Sequence, residues 1–410
     1  MSELHYDIVI VGGGPAGLTL ALALTRAMRG LKLALVDRRP FAVPPDQRAT
    51  AIAAGVRRVF EQLGVWNDVA PASEPIRRMK ITDSGTGDIS RPLFLSFEGE
   101  VKPGEAFAHM VPNTALAAAL LRALEGQVEL IAPAEVTGFS GAGAHGRVSL
   151  ADGRTLLAPL VVASDGAMSA MRGYARIGTF GHDYGQSGIV TTIAHTLPHE
   201  GIAYEHFRPH GPFASLPLPS VGGLNRSSLV WTETTANAAR VKASAPEAIA
   251  LEIAEVMGFG LGEVTLEEKG VQTFPLRLQI ARSFVAPRLA LIGDAAHVIH
   301  PVAGQGLNLG LKDVAALAEV AIDAMRLGQD HGAADVLERY QRWRRFDTTL
   351  MAMLTDGMNR LFSNDLAPVR AARDFGLGVV DRLGPVKDFM ISRAAGVERA
   401  GPRLLRGLEI

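Results

Sequence analysis

Residues 7–18 read DIVIVGGGPAGL and specify the fold of the chain. The apolar, β-branched run 6–11 predicts a short, buried parallel strand. It leads directly into residues 12–17, whose glycines fit the spacing GxGxxG, and the Leu- and Ala-rich stretch 18–28 predicts a helix. A second apolar run, 33–36, predicts the next strand. The N-terminal region therefore has the pattern of a Rossmann-like β–α–β unit, which belongs to the α/β fold class.

An acidic residue follows the second predicted strand at an informative distance. Asp37 lies 20 residues after Gly17, which is the spacing expected for a carboxylate that binds a ribose hydroxyl. The glycines allow the backbone to approach a pyrophosphate, and the helix N-terminus stabilises its charge. FAD and NAD both use this pattern, so further motifs must decide between them. The predicted contacts in this region are Gly12, Gly14, Pro15, Ala16, Gly17, Asp37 and Arg38.

A second GxGxxG match, at residues 141–146, serves as an internal control. The residues that follow it, RVSLADGR, alternate like a strand and do not have helical periodicity. We interpret this match as the tip of a hairpin between 135–139 and 147–150, without a role in nucleotide binding.

Two further buried strands are predicted to end in acidic turns. The run 161–163 leads to Asp165-Gly166 within the pattern DGxxSxxR, which ends at Arg172. The run 289–292 leads to Gly293-Asp294. Asp294 at the carboxyl end of a strand is placed to accept hydrogen bonds from a polyol such as a ribityl chain.

A glycine-rich turn opens the last predicted helix of this region. Pro301 precedes Gly304-Gln305-Gly306, and residues 307–325 have helical periodicity with Asn308 and Asp313 in the first turns. The glycines allow close backbone approach, and the N–H groups of the helix would stabilise negative charge on a reduced flavin.

Three of these motifs serve as fingerprints: GxGxxG, Asp165-Gly166 and Gly293-Asp294. In this order they resemble the fingerprints of the FAD-dependent aromatic hydroxylases related to p-hydroxybenzoate hydroxylase. Within that group, HPVAGQGLNLGLKD (300–313) and DQRATAI (46–52) are most similar to the ubiquinone-biosynthesis hydroxylases, and so is SSLVWT (227–232). The chain departs from the pattern at Asp37, where glutamate is more usual, and at Thr114, where relatives often have a basic residue.

The resemblance implies a Rossmann-like FAD-binding domain, an inserted β-sheet substrate domain and C-terminal helices, α+β overall. NAD(P)H would reduce FAD, and O₂ would hydroxylate an aromatic ring through a flavin C4a-hydroperoxide. Pro301, Gly304 and Gln305 would position the flavin face, with no side-chain nucleophile and no metal. The other implied FAD contacts are Arg48, Asp165, Gly166, Arg172, Gly293, Asp294, Gly304, Gly306, Leu307 and Asn308.

Composition limits the remaining possibilities. A length of 410 residues suits two or three domains, and 48% hydrophobic residues suffice for a sizeable core. A net charge of −1 provides no field that attracts nucleic acid, and the absence of cysteine excludes disulfides and thiolate chemistry. We expect a cytoplasmic protein, because the N-terminus lacks a basic leader and no apolar run is long enough to span a bilayer.

The motifs predict a discontinuous FAD-binding domain of residues 1–75, 105–180 and 275–330. Residues 76–104 and 181–274 would form the substrate domain, and 331–410 a helical region. The C-terminal stretch is basic and also apolar, with Arg382, Lys387, Leu383 and Phe389 among its residues. It could contact the inner membrane or another protein of ubiquinone biosynthesis, or pack on the protein's own body.

Several further residues have structural interpretations. We expect His297 and His300 to shape the loop beside the flavin, and Trp231 to lie in a core or a pocket wall. The arginines around Trp343, namely Arg342, Arg344 and Arg345, are predicted to form a solvated helix face.

Other functions remain open at the level of sequence. The same fold could hydroxylate a soluble phenol or aromatic acid. A different class is a non-catalytic flavoprotein that scaffolds a quinone-biosynthesis complex. The oligomeric state cannot be derived from the sequence.

Overall fold

A computed structural model describes residues 3–43, 45–83, 93–98, 100–102, 104–258, 260–267, 270–301, 304–362, 395–397 and 401–410, with the backbone alone for 83, 93–98, 361 and 362. Its strands are, in chain order, β1 (Glu3–His5), β2 (Ile8–Val11), β3 (Leu33–Val36), β4 (Ala49–Ala53), β5 (Glu74–Pro75), β6 (Arg78–Asp83), β7 (Leu93–Glu98), β8 (Glu100–Lys102), β9 (Glu105–Ala106), β10 (Ala108–Pro112), β11 (Glu129–Ile131), β12 (Val136–Ser140), β13 (Gly146–Leu150), β14 (Thr155–Ala158), β15 (Leu160–Ala163), β16 (Thr179–His195), β17 (Ile202–Arg208), β18 (Gly211–Val221), β19 (Leu224–Thr234), β20 (Val264–Leu266), β21 (Gln272–Ala281), β22 (Val285–Ala286), β23 (Leu289–Leu291) and β24 (His297–Val298).

The helices connect these strands and cover the sheets. Short 3₁₀ turns occur at Ala70–Ala72, Gly293–Ala295 and Leu404–Arg406. The α-helices are α1 (Pro15–Ala27), α2 (Ala54–Gln62), α3 (Trp66–Val69), α4 (Asn113–Leu124), α5 (Ala170–Tyr174), α6 (Thr235–Ala243), α7 (Pro246–Met257), α8 (Gln305–Arg326) and α9 (Ala334–Phe362).

A six-stranded sheet in the order β11-β3-β2-β15-β23-β22 forms the centre of the fold. Its first five strands are parallel, and β22 pairs antiparallel with β23. The predicted strands of this sheet are confirmed, and their residues are buried on both faces. Helix α1 begins at Pro15, three residues earlier than expected, because proline has no N–H to lose at the first helical position.

The predicted hairpin is confirmed. Strands β12 and β13 pair antiparallel within a four-stranded sheet of order β1-β14-β13-β12. The second GxGxxG match lies in the connection between β12 and β13 and at the start of β13. No helix follows it, so this match lacks the helix N-terminus that phosphate binding requires.

A nine-stranded sheet forms the second layer, in the order β24-β21-β16-β19-β18-β17-β6-β7 with β20 beside β16. Strands β16, β17, β18 and β19, from the region expected to form the β-sheet substrate domain, make up the middle of this sheet. One face packs under α6 and α7, around the fully buried Trp231. The other face packs against β4 and β10 through Leu216, Leu218 and Met110. The division of the chain into domains stays a prediction.

Helix α9 corrects one of the predictions. Arg342 and Arg345 are exposed as expected, but the expectation of a solvated Arg344 is wrong. Its side chain is only 3% exposed and pairs with two aspartates. Helix α9 packs along α8, and this contact turns Arg344 towards the core, while Arg342 and Arg345 stay exposed.

The end of the chain packs on the protein's own body where it is described. Arg403 forms ion pairs with Glu319 and Asp323 of α8, and Arg326 donates to the carbonyl of Ile410. Residues 376–394, for which membrane or partner contact was one expectation, lie outside the described residues. Within the described part, no helix is long and apolar enough to cross a membrane.

The core under α6 and α7 provides a first test. We expect Trp231→Ala to destabilise the protein by about 3–5 kcal/mol, because it deletes the largest fully buried side chain. Chemical denaturation followed by fluorescence or circular dichroism measures this change. Leu224→Ala, at a 57% exposed position on the same strand, is the matched control and should change little. Equal effects of the two variants would contradict this description of the core.

Candidate functional site

The site is built at one edge of the central sheet. Because β3, β2, β15 and β23 are parallel neighbours, their carboxyl ends lie side by side. Asp37, Gly12, Asp165 and Asp294 follow these four strand ends closely. Ligands of open α/β sheets bind at this edge. The structure therefore brings three separate sequence motifs to one place.

The glycines of the first motif have different tasks. Gly12 has a φ of +114°, and a Cβ there would overlap the carbonyl of Ser164. A Cβ at Gly17 would overlap the carbonyl of Gly12. These two glycines let the turn, α1 and the β15 loop pack closely. A Cβ at Gly14 would instead meet nothing within 4 Å.

The first turn of α1 presents its amide groups to that open space. Gly14 is the N-cap of the helix, and no side chain among the described residues accepts a hydrogen bond from the first-turn N–H groups. Unpaired N–H groups and the positive end of the helix dipole bind phosphate. This is the arrangement that a dinucleotide pyrophosphate requires.

Asp37 lies beside this turn. Its Oδ2 accepts a hydrogen bond from the amide of Gly13 at 2.7 Å, and its Oδ1 accepts one from Arg39 at 2.8 Å. A carboxylate has about four lone-pair sites, so both oxygens can accept a further bond from a ribose hydroxyl. Arg38 is exposed.

The second motif stabilises its own loop. Asp165 accepts hydrogen bonds from the hydroxyl of Ser169 at 2.5 Å and from the amide of Met171 at 3.1 Å. Arg172 donates to the carbonyls of Ala167 and Ala295, at 2.9 and 2.8 Å. The side chain of Arg172 thus connects the Asp165-Gly166 loop to the Gly293-Asp294 loop. Contact of these residues with a cofactor stays a prediction.

Asp294 differs from the other acidic residues of the site. Its carboxylate has no hydrogen-bond or ion-pair partner in the described part of the chain, and it is exposed. Burial nevertheless raises its pKa, against the opposing charges of His297 and Arg48. Both properties hold for a side chain that lines a deep cleft, where water reaches the carboxylate while protein surrounds it on most sides.

Arg48 reaches the same cleft from the loop before β4. Its guanidinium forms a bidentate pair with Asp46, and Asn113 donates to that carboxylate at 3.0 Å. The guanidinium lies 5.1 Å from the ring centre of Phe274, on the nine-stranded sheet. Asp46 and Asn113 were missed at the sequence level, although Asp46 stands two residues before Arg48 in the quoted segment.

The glycine-rich turn Gly304-Gln305-Gly306 forms the N-terminus of α8. Gly304 has a φ of +64°, a left-handed conformation that favours glycine, and it is the N-cap of the helix without a side-chain acceptor. A Cβ at Gly306 would meet nothing within 4 Å. Pro301, Gln305 and Leu307 flank this turn. Among the described residues, no side chain caps the first turn of α8, as is the case for α1.

Asn308 has a structural task that was not expected. Its amide donates to the carbonyl of Ala51 at 2.7 Å, and its carbonyl accepts from the amide of Ala53 at 2.9 Å. The side chain is buried and holds β4 against α8. Any contact of this side chain with a cofactor would compete with these bonds, and such a contact stays a prediction.

His297 and His300 lie three residues apart before α8, and both are buried, but their contacts differ. His297 Nε2 lies 2.6 Å from Asp313 Oδ2. Neither ring nitrogen of His300 has a hydrogen-bond partner among the described residues, and its ring packs edge-on against Tyr184. Burial lowers the pKa of His300 to about 4, so it is neutral at pH 7. The described residues contain no group of three or more potential ligands for a metal ion.

Two helix N-termini capped by glycine lie at this sheet edge, together with Asp37 and with Asp294, whose carboxylate has no partner among the described residues. This set of groups fits an FAD molecule. The fold and the site thus define an FAD-binding flavoprotein. A model of the family described as "FAD binding domain" matches residues 5–353, and the chain belongs to this family.

Curated relatives extend this likeness over the whole chain. The chain is 41% identical to the ubiquinone hydroxylase UbiL of Rhodospirillum rubrum, over 98% of this chain and 93% of the relative. It is 34% identical to the 3-demethoxyubiquinol 3-hydroxylase of Escherichia coli, over 97% of this chain and 100% of the relative. The resemblance to ubiquinone-biosynthesis hydroxylases drawn from the motifs is confirmed.

Solved structures confirm the fold class. The p-nitrophenol 4-monooxygenase PnpA from Pseudomonas putida superimposes with a TM-score of 0.78, at 20% identity, over 97% of this chain and all of that chain. PqsL from Pseudomonas aeruginosa, solved with 2-aminobenzoylacetate, gives 0.75 at 21% identity, over 92% of this chain and all of that chain.

The free carboxylate of the cleft gives the second prediction. We expect Asp294→Ala to yield a folded protein that binds FAD at least about tenfold more weakly, since a buried polyol would lose its charged acceptor. Flavin occupancy after purification and titration of the apoprotein with FAD measure the change. Asp335→Ala, at an exposed position on α9, is the control. Normal occupancy in Asp294→Ala would contradict the role given to this residue.

The raised pKa of Asp294 gives a third prediction, for the apoprotein. The folded state binds the Asp294 proton more tightly than the unfolded state does, so ionisation of this carboxyl destabilises the fold as pH rises from its ordinary pKa of 3.8 through the raised value. Asp294→Asn cannot ionise. We therefore expect the thermal stability of Asp294→Asn minus that of wild type to increase from pH 4 to pH 8. A difference independent of pH would exclude this account.

Proposed function

We propose that the protein is an FAD-dependent monooxygenase that hydroxylates the aromatic ring of a polyprenyl phenol on the route to ubiquinone. The observation that carries the proposal is the 41% identity to the ubiquinone hydroxylase UbiL across nearly the full length of both chains. The 34% identity to the 3-demethoxyubiquinol 3-hydroxylase supports the same ring chemistry.

The chemistry requires a reductant and oxygen, which we propose to be NAD(P)H and O₂. When bound, FAD supplies the redox chemistry that takes a hydride from NAD(P)H and activates O₂. The residues of the chain bind FAD and orient it. The amide groups of α1 hold the pyrophosphate, Asp37 the ribose and Asp294 the ribityl chain. The N-terminus of α8 stabilises negative charge on the reduced ring system.

The face of the flavin would be positioned by the turn before α8. Pro301 and Gly304 lie in that turn, and Gln305 is the first residue of α8. The amide of Gly304 donates to the carbonyl of Pro301 at 3.0 Å, which fixes the turn. No side-chain nucleophile is needed for this role.

The substrate would lie against the nine-stranded sheet. Side chains alternate along a strand, so Val230 faces away from the core around Trp231, and Val190 and Ala214 pair with it on the same face. Phe274, opposite Gly188, extends this face to the guanidinium of Arg48. A small, apolar surface of this kind suits an aromatic ring with an apolar chain, and it limits the access of water.

A gene deletion tests the pathway and provides the fourth prediction. We expect a deletion strain to accumulate a prenylated precursor that lacks at least one ring hydroxyl, detected by mass spectrometry of lipid extracts. Wild type should restore ubiquinone, and Asp294→Ala should restore much less at equal protein level. Restoration by Asp294→Ala with normal flavin occupancy would exclude the proposed site.

The same strains separate the proposal from its nearest alternative. An unchanged ubiquinone pool, in a strain without a second ring hydroxylase, would exclude the ubiquinone route. Phenol-dependent oxidation of NAD(P)H by the purified protein would then assign it to soluble phenols or aromatic acids.

A further inference from the structure

A buried carboxylate behind the Gly293-Asp294 loop has an unusual set of partners. Asp313, in the third turn of α8, is completely buried. Its Oδ2 accepts hydrogen bonds from the amide of Gly293 at 3.0 Å and from Nε2 of His297 at 2.6 Å. This single oxygen thereby fixes both ends of the turn that carries Asp294.

The opposite oxygen of Asp313 receives a charged partner from another helix. Arg344 of α9 donates through Nε to Asp313 Oδ1 at 2.7 Å and through Nη1 to Asp347 at 2.7 Å. Its side chain is 3% exposed and that of Asp313 is 0% exposed. The planar guanidinium suits two carboxylates at once, which the ammonium of a lysine does not.

Both members of this pair remain charged. Burial acts to raise the pKa of Asp313, but His297 and Arg344 hold it below its usual range. Burial acts to lower the pKa of Arg344, but Asp313 and Asp347 raise it.

We propose that Asp313 and Arg344 are positioning residues for FAD: their ion pair holds the Gly293–His297 turn so that Asp294 faces the cleft, and its charge balance sets the reduction potential of the bound flavin. A charge without its partner at this depth is poorly screened and acts over several ångströms. Removal of one partner therefore changes the field at the flavin, and the sign depends on which partner is lost.

Three variants test this with signs that a purely structural pair would not produce. Arg344→Met removes the cation, so we expect FAD affinity of the apoprotein to fall about tenfold or more and the flavin potential to become more negative. Asp313→Asn removes the anion, so the potential should become more positive. The double variant should return close to the wild-type potential. Fluorescence titration and redox-dye equilibration are the measurements, and thermal melting confirms folding.

The controls use neighbouring positions. Arg345→Met, at the exposed adjacent residue, should change affinity less than about twofold and leave the potential unchanged. Arg344→Lys keeps the charge and serves if Arg344→Met does not fold; it should weaken FAD binding while retaining the wild-type potential. The proposal would be overturned if the flavin potential shifted in the same direction in Arg344→Met and Asp313→Asn, or if it were unchanged in both. An altered potential in Arg344→Lys would also overturn it.

Discussion

Close backbone approach at the carboxyl edge of the central sheet is the constraint on which the rest of the molecule depends. A side chain at Gly12 would overlap the carbonyl of Ser164, and one at Gly17 would overlap the backbone of Gly12. A Cβ at Gly310 would lie 3.0 Å from the Cα of Gly293. These contacts bring the first turn, the β15 loop, the β23 loop and α8 together. Without them Asp37, Asp165 and Asp294, which follow three of the four strands, would not share one cleft.

The same contacts explain how much of the site could be predicted from the sequence. A parallel strand that is buried on both faces is a continuous apolar run, and the glycine or acid at its end is conspicuous. The candidates Gly14, Asp37 and Asp294 could therefore be predicted from local signals alone, and their contacts with a cofactor stay predictions. The hairpin at residues 141–146 was separated from the true motif because the period of the following residues was two instead of 3.6. Each of these inferences needed only a few neighbouring residues.

Hydrogen-bond partners that lie far along the chain were not predicted. Arg344 stands in the charged run RWRRF, which locally resembles a solvated face, and only the packing of α9 on α8 shows that it meets Asp313, 31 residues away. Asn308 belongs to a flavin motif by its position, but its amide holds β4, more than 250 residues earlier. Asp165 is used by its own loop. A sequence pattern gives the type of residue at a site, while its hydrogen-bond partners are decided by tertiary contacts.

Asp294 and Asp313 show how one short segment divides its work between ligand and scaffold. Asp294 has no partner among the described residues, and burial raises its pKa. Asp313, deeper and fully buried, accepts bonds from Gly293, His297 and Arg344, and its pKa is lowered. The fully hydrogen-bonded carboxylate of Asp313 stabilises the turn. The carboxylate of Asp294 lacks hydrogen bonds from the described residues, and it destabilises the apoprotein until a ligand supplies them. Because Asp313 fixes the position of Asp294, the rigidity of the buried hydrogen-bond network and the affinity of the cleft for FAD are coupled.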